Sequence, residues 1–437
     1  MLSHRCWTGV DDAAARTHPT TMNILFLTEN FPPETNAAAT RVYERALYWI
    51  RDGHAVTVLT STPNFPEGRL FDGYANKWRQ VEFVDGIRVV RVKTYIAPNK
   101  GVIWRTLDFV SFMISAFVNG LFEKRPDVIC STSPQFFAAV GGWMLAVCRR
   151  RPFVFELGDL WPASIVAVGA MKRSLALRLV EKLELFLYRR SAAVAALTHA
   201  FKRNLVSRGI DPQKIRVVRN GVDASRYGVR PRHAELATTH GLQDKFVVGY
   251  VGTHGMAHAL DRVVEAADLL KNEDGVRILF AGAGAAREGL IEQARDLGLS
   301  NIVFLPMQPK ERVPDVWSLC DAALVHLKGD PAFTEVIPSK IFEAMAMGLP
   351  IVIAAPNGEA TEIVAVEKAG IVVPPENPSA LAQAIRALQD RSRDREEYAT
   401  ASLAAAPRYS REKQAADMIE VFEAAIGGRP AAPEGPA

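Results

Sequence analysis

The chain lacks the marks of a secreted, membrane-spanning or metal-dependent protein. Its 437 residues hold four cysteines, Cys6, Cys130, Cys148 and Cys320, and no C-x-x-C pair. Spacing therefore offers neither a disulfide framework nor a zinc site, which predicts a reducing cytoplasm. No Asp-x-Asp occurs, so no metal ion and no other cofactor is expected. The net charge of +4 is too small to argue for nucleic acid. Residues 1–21 carry Arg5, Asp11, Asp12 and Arg16 without an apolar core and do not read as a signal peptide. They are expected to be a disordered extension, with Met22 a candidate start. The apolar stretch Val102–Phe122 is interrupted by Asp108 and Asn119 and is short for a membrane span.

What is present is ordinary globular-enzyme material, 49% apolar and 23% charged, long enough for two or three domains. Ile24–Thr28 reads as a buried strand, 38–51 as a helix, Asp52-Gly53-His54 as a turn and Ala55–Leu59 as the next strand, a βαβ unit. Further strands are expected at 89–92, 128–130, 153–155, 194–197 and 215–218. A second set is expected at 246–251, 276–280, 302–304, 322–325 and 351–353, with helices such as 260–270 and 286–297 between them. Two runs of alternation predict two doubly wound α/β sheets. The expected units are 22–225, 226–405, a last helix at 406–427 packing on the first unit, and a disordered tail at 428–437.

Residues 334–350, TEVIPSKIFEAMAMGLP, are the most informative stretch. Glu335 and Glu343 stand eight positions apart, one in a loop and one about a turn inside a helix that starts at Lys340 and stops at Gly348 and Pro350. The free amides at that helix start suit a phosphate, Lys340 adds a cation, and the carboxylates suit hydroxyls: a sugar nucleotide fits. An ordinary helix with two surface glutamates would share the spacing. Gly252-Thr253-His254-Gly255 follows the strand 246–251, where glycines let backbone approach an anion; a plain tight turn is the alternative. Ala281-Gly282-Ala283-Gly284 is a partial dinucleotide fingerprint, read as a strand-end turn near the nucleotide. Leu305-Pro306-Met307-Gln308 ends another strand, where backbone groups could read a uracil or guanine edge; a simple loop is the alternative. Glu156-Leu157-Gly158-Asp159-Leu160-Trp161-Pro162 places an acid and a tryptophan at a strand's C-terminal end, in a cleft of this architecture; a helix N-cap is the other reading of Asp159.

The 334–350 string resembles the Glu-x7-Glu signature of retaining GT-B glycosyltransferases of family 4, over residues from about 22 to 425. Pro-Ser-Lys before the second glutamate, and Asp-Leu-Trp-Pro at 159–162, resemble the L-fucosamine-transferase-like branch that builds bacterial surface polysaccharide. The resemblance implies a GT-B fold, an acceptor domain followed by a donor domain. Glu335 would hold hydroxyls of the donor sugar, the amides of Ser339, Lys340 and Ile341 the diphosphate, and Glu343 the ribose. Asp159 would serve the acceptor or the donor sugar, and Asn36, Arg41 and Trp161 would lie at the acceptor. Pro338 stands where many members have glycine. Thr253 and His258 stand where members usually carry arginine and lysine, which makes Lys340, His254 and His258 the candidates to neutralise phosphate, with a structural role the alternative for each histidine. Asn220-Gly221-Val222-Asp223 matches the family's interdomain string and reads as a turn.

The implied reaction moves a sugar from a nucleoside diphosphate, UDP by preference, to a polyprenyl-diphosphate-linked saccharide, with retention and no named covalent nucleophile. In 171–190 Lys172, Arg173, Arg178, Lys182, Arg189 and Arg190 face only Glu181 and Glu184. With the apolar stretch 102–122, they suggest docking on the anionic inner face of the cell membrane; a core helix beside solvated charges is the alternative. A UDP-sugar 2-epimerase on the same architecture and a non-catalytic partner of a polysaccharide assembly remain open.

Overall fold

The computed structural model describes residues 21–65, 67–96, 102–133, 135–160 and 175–428. The expected extension, apart from Thr21, lies outside the described residues, as do Trp161, Lys172, Arg173 and the tail beyond Gly428.

The first sheet has eight strands: β1 (Asn23–Leu27), β2 (Ala55–Ser61), β3 (Arg79–Val84), β4 (Ile87–Val92), β5 (Val128–Thr132), β6 (Phe153–Leu157), β7 (Ala193–Ala196) and β8 (Ile215–Val217). Their order is β3-β4-β2-β1-β5-β6-β7-β8, parallel except for the β3–β4 hairpin. Among the described residues its helices are α1 (Ala37–Arg51), α2 (Val102–Gly120), α3 (Phe136–Arg149), α4 (Leu175–Arg190) and α5 (His199–Ser207). The second sheet has six parallel strands: β9 (Phe246–Val251), β10 (Val276–Ala281), β11 (Ile302–Leu305), β12 (Ala322–His326), β13 (Ile351–Ala354) and β14 (Gly370–Val373). Their order is β11-β10-β9-β12-β13-β14. Around it lie α6 (Ala234–Thr239), α7 (Asp261–Leu269), α8 (Arg287–Asp296), α9 (Val313–Trp317), α10 (Lys340–Met347), α11 (Glu359–Val366), α12 (Pro378–Asp390) and α13 (Ser392–Ala405), before the final α14 (Arg411–Gly427).

The inner strands read as continuous apolar runs because helices cover both faces of each sheet. In the first sheet, one face packs on Phe112 and Ala116 of α2, Leu145 of α3 and Leu187 of α4. The other packs on Val42 and Trp49 of α1 and on Met418 and Phe422 of α14. Trp49 meets Phe422 edge-on at 5.5 Å, and its indole donates to the Ala415 carbonyl at 3.0 Å. The last helix of the chain thus packs on the first sheet.

Two elements escape the sequence expectations. The β3 strand lies at an edge with alternate residues exposed, Phe83 among them, so it lacks the apolar run of a buried strand. Its turn is made by Asp85 and Gly86, both at positive φ. The β14 strand is short and also lies at an edge. The 220–223 segment, expected to be a simple turn, is half of a paired crossover between the sheets. Val222 exchanges backbone hydrogen bonds with Tyr409 and Arg411 (2.9 and 2.7 Å), and a Cβ on Gly221 would stand 2.4 Å from the Ser410 carbonyl oxygen.

Candidate functional site

In the second sheet the strand order reverses between β9 and β12, which makes a crevice at their carboxyl ends. The segment after β9 fills it. Gly252 has φ +135°, and a Cβ there would lie 3.3 Å from the Nζ of Lys340, so the loop and the lysine leave each other no spare room. Gly282 lies closer still: a Cβ there would stand 1.9 Å from the Gly252 carbonyl oxygen. Gly282 is therefore the residue that lets the β9 and β10 ends touch, and it is buried beneath the loop. Thr253 is exposed and Gly255 half-buried at the rim.

His258 and His326 tie the two strand ends together. His258 Nδ1 lies 3.3 Å from the His326 carbonyl, and His326 Nδ1 lies 2.7 Å from the His258 carbonyl. His254 is buried with neither ring nitrogen hydrogen-bonded. Burial, then Arg287 and Lys340, pushes His254 down to about 4; burial, then Lys340, does the same to His258. Both are neutral at pH 7 in the free protein, which corrects the expectation that they supply positive charge alongside Lys340.

Lys340 opens α10 and is 8% exposed. Its Nζ has no hydrogen-bond partner and sits 3.4 Å from the centroid of the Tyr250 ring. Burial, only partly offset by Glu343, brings the amine down to about 7. The amides of Ser339 and Lys340 donate to no carbonyl among the described residues, while Ile341 N–H is taken by the Pro338 carbonyl at 3.2 Å. Of the three amides expected at the phosphate, two are left for a ligand.

Glu343, one turn into α10, accepts from the indole Nε1 of Trp317 at 2.9 Å. Burial raises it, against the pull of Trp317, Lys340 and Lys310. Glu335 ends a short 3-10 turn (Pro331–Glu335) and faces α5 of the first sheet. Burial raises it too, and the charge of Arg203 and a hydrogen bond from Asn204 draw it back. Met307 is exposed at the end of β11.

The first sheet contributes less of what the sequence suggested. Arg41 is buried, with Nε 3.0 Å from Glu156 and Nη2 3.0 Å from Thr132. Arg45 holds the other Glu156 oxygen at 2.8 Å. Burial alone would raise Glu156, but Arg45 and Arg41 hold it down at about 2. Arg41 is thus committed to an internal ion pair rather than presented to an acceptor. Asn36 caps α1, its side chain accepting from Ala39 N–H at 2.9 Å. Asp159 is half-buried beyond β6, its backbone bonded to Ser133 Oγ.

A carboxylate that spacing did not mark joins the two halves. Glu44 of α1 meets Lys310 after β11 (3.2 Å), Arg226 of the crossover (3.4 Å) and Arg411 of α14 (3.0 Å). Glu359 of α11 accepts from Ala200 N–H at 3.2 Å, at the start of α5, and pairs with Arg219 at 3.3 Å. Tyr250, Trp317 and Glu44 were absent from the expectations because each acts through a fold contact. No local sequence pattern signals such a contact.

Comparison with known proteins agrees with this architecture. Residues 38–226 match the family described as Glycosyltransferase Family 4, and residues 235–404 match Glycosyl transferases group 1. The chain is 25% identical over 343 residues to a putative colanic acid biosynthesis glycosyl transferase, WcaI, of Escherichia coli K12, covering 75% of this chain and 82% of that one. Anabaena Alr3699/HepE, solved with UDP and glucose, superposes with a TM-score of 0.67 at 19% identity, over 92% of this chain and 100% of that one. WaaG, a glycosyltransferase involved in lipopolysaccharide biosynthesis, superposes with a TM-score of 0.63 at 16% identity, over 91% and 99%. The two facing α/β sheets are a GT-B fold. With a family 4 domain followed by a group 1 domain, the chain belongs to the family 4 type of glycosyltransferases.

Proposed function

We propose that this glycosyltransferase moves a sugar from a UDP-linked donor to a lipid-linked saccharide in bacterial surface-polysaccharide synthesis, with retention. The observation that carries the donor half is Lys340. A buried ammonium without a hydrogen-bond partner, beside two unused helix-start amides, is costly unless an anion arrives to meet it. A nucleoside diphosphate supplies that anion, and Glu343 lies one turn along the helix to meet the ribose. The nucleotide complexes of Anabaena HepE support UDP as the base choice. In the reaction the bond from the anomeric carbon to the phosphate oxygen breaks as the acceptor hydroxyl bonds to the same carbon. UDP leaves, its growing charge met by Lys340 and the amides, and its phosphate takes the acceptor's proton. Glu335 steadies the positive charge at the anomeric centre. No step calls for a divalent ion.

The acceptor half rests on the similarity to WcaI and on the outer face of the first sheet's helices. Trp104, Leu107 and Ile114 of α2, Val147 of α3, and Leu179 of α4 are exposed apolar side chains, with Arg178, Lys182, Arg189 and Arg190 exposed on α4. Among the described residues no helix is long and apolar enough to cross a membrane. Apolar side chains beside cations suit docking on an anionic membrane face, where a polyprenyl-linked acceptor would reside.

Thermal stabilisation by UDP-, GDP- and TDP-sugars, in EDTA and with added Mg²⁺, tests the donor half. A shift of several degrees with one UDP-sugar, kept in EDTA and lost in Glu343→Ala, is expected. No shift with any nucleotide overturns the reading.

A further inference from the structure

We infer that Tyr250 is a positioning residue for the donor diphosphate, holding the Lys340 ammonium and the Gly252–Gly255 segment in one fixed relation. The inference rests on the donor-site reading above and adds a residue that the reading does not contain. Tyr250 is fully buried on the β9 face that packs with Phe280 and Leu260, whereas Ile341, Phe342 and Met345 of α10 pack in the cluster on the opposite face. For its Nζ to reach the ring at 3.4 Å, Lys340 must cross the carboxyl end of β9, passing Gly252 on the way. The aromatic face then meets the ammonium directly, beside the longer-range attraction of Glu343, since among the described residues its nitrogen has no hydrogen-bond acceptor.

The other end of the same side chain acts on the loop. The Tyr250 hydroxyl donates to the Thr253 carbonyl at 2.8 Å, which turns that carbonyl toward the interior of the β9 end. His254 and His258 also flank the ring, at 5.9 and 5.8 Å between centroids. One rigid side chain with two torsions therefore fixes both the cation and the backbone that would receive a phosphate. Thr253 and His258 occupy the places where an arginine and a lysine were expected from the resemblance. A single lysine left to do their work needs its ammonium placed, and the ring does that while Glu343 stands one turn along the same helix.

The titratable groups around the ammonium are Glu343 on its own helix, His254 and His258 on the β9 loop, and His326 at the end of β12, with Arg287 beside His254. Among them the ring is what Tyr250→Leu removes. Without it the amine keeps its desolvation and is left with the attraction of Glu343 alone, so it deprotonates at lower pH.

The experiment is calorimetric titration of UDP between pH 6 and 9 on wild type, Tyr250→Phe, Tyr250→Leu and Lys340→Met. Wild type is expected to lose affinity on the alkaline side. Tyr250→Leu should bind about tenfold more weakly at pH 7, with the alkaline loss starting about one pH unit lower. Tyr250→Phe, which keeps the ring and gives up only the tether to Thr253, should weaken binding a few-fold with the alkaline loss unmoved. Tyr250→Met serves as the ring-less variant should the leucine protein not fold. A ring-less variant with the wild-type affinity and pH profile overturns the inference while Lys340→Met still abolishes binding. If Lys340→Met binds UDP as wild type does, the donor-site reading falls and this inference with it.

Discussion

Trp317 and Glu343 are joined by a hydrogen bond of 2.9 Å from indole to carboxylate, between a fully buried ring and a half-buried acid one turn into α10. The indole holds one carboxylate oxygen, which leaves the other to accept from a hydroxyl. In Trp317→Phe the carboxylate loses its donor, and the fold loses about 1–3 kcal/mol through the unsatisfied group and the smaller ring. UDP affinity should fall about tenfold, with kcat at saturating donor changed far less. Calorimetry and a melting curve measure both; unchanged UDP affinity would separate Glu343 from the nucleotide.

Lys340 places function and stability in opposition. Its amine is held at about 7 in the folded protein, against an ordinary value of 10.5. Between those values the unfolded chain binds more protons than the folded one, so stability rises with pH from about 7 to 10.5. Below pH 7 the cost of the buried charge is present in full. Lys340→Met should therefore raise stability at pH 6 by on the order of 1–4 kcal/mol, and the melting temperature with it, and flatten that pH dependence. The same variant should lose donor binding. A melting series from pH 6 to 10 on both proteins decides it, and a less stable methionine variant at pH 6 would contradict the prediction.

Glu335 carries the chemistry in the proposed reaction, and its environment sets an acid limit. Burial raises its carboxyl above 4.5, restrained by Arg203 and the Asn204 hydrogen bond. Activity should fall as pH drops through that raised value, because the protonated acid cannot steady a positive centre. Asn204→Ala removes one restraint and should move the acid limb to higher pH. Glu335→Ala should lower kcat by about 100-fold or more while UDP binds nearly as before. Initial-rate profiles from pH 4 to 8 supply the test.

Glu156 governs acid stability in the first sheet. Its carboxyl sits at about 2 when folded against 4.5 unfolded, so the stability it contributes is complete above about pH 4.5 and drains away as pH falls toward 2. Glu156→Gln leaves Arg41 and Arg45 buried without their counter-charge, a loss of about 3–5 kcal/mol. Arg41→Ala should show its effect in the melting temperature, with the acceptor KM unchanged in whatever protein remains folded.

Both sheets were legible in the sequence because their inner strands, such as β1, β9 and β12, are covered on two sides and must be apolar throughout. The edge strands β3 and β14 were not, since an edge relaxes that demand. Around the proposed donor site, Glu335, Lys340, Glu343 and the glycine loop could be singled out because helix start, stop signal and strand end are local events. Tyr250 and Trp317 could not, because nothing in a strand or a short helix says which ring will meet a lysine or a carboxylate across the fold. The neutrality of His254 and His258 could not be read for a related reason: burial decides it, and burial is a tertiary property. Arg41 looked available in the sequence because its partner, Glu156, lies 115 residues away.

Glu44 draws one cation from each of three segments, Arg226 at the first crossover, Lys310 after β11 and Arg411 at the head of α14. Arg411 is buried with it, whereas Arg226 and Lys310 are partly exposed. The three contacts are therefore unequal. Removing the carboxylate by Glu44→Gln should cost about 3–5 kcal/mol, most of it from the Arg411 pair. Lys310→Met removes a screened contact and should cost no more than about 1 kcal/mol. Lys310 and Arg226 bind the second half of the molecule to α1, so the glutamine variant should also loosen one half from the other. Calorimetry should then resolve two unfolding transitions where one is expected for wild type, and small-angle scattering should give a larger radius for Glu44→Gln than for Lys310→Met. A single unshifted transition in Glu44→Gln would mean that the paired crossovers at Val222 and Ser410 hold the halves together without it.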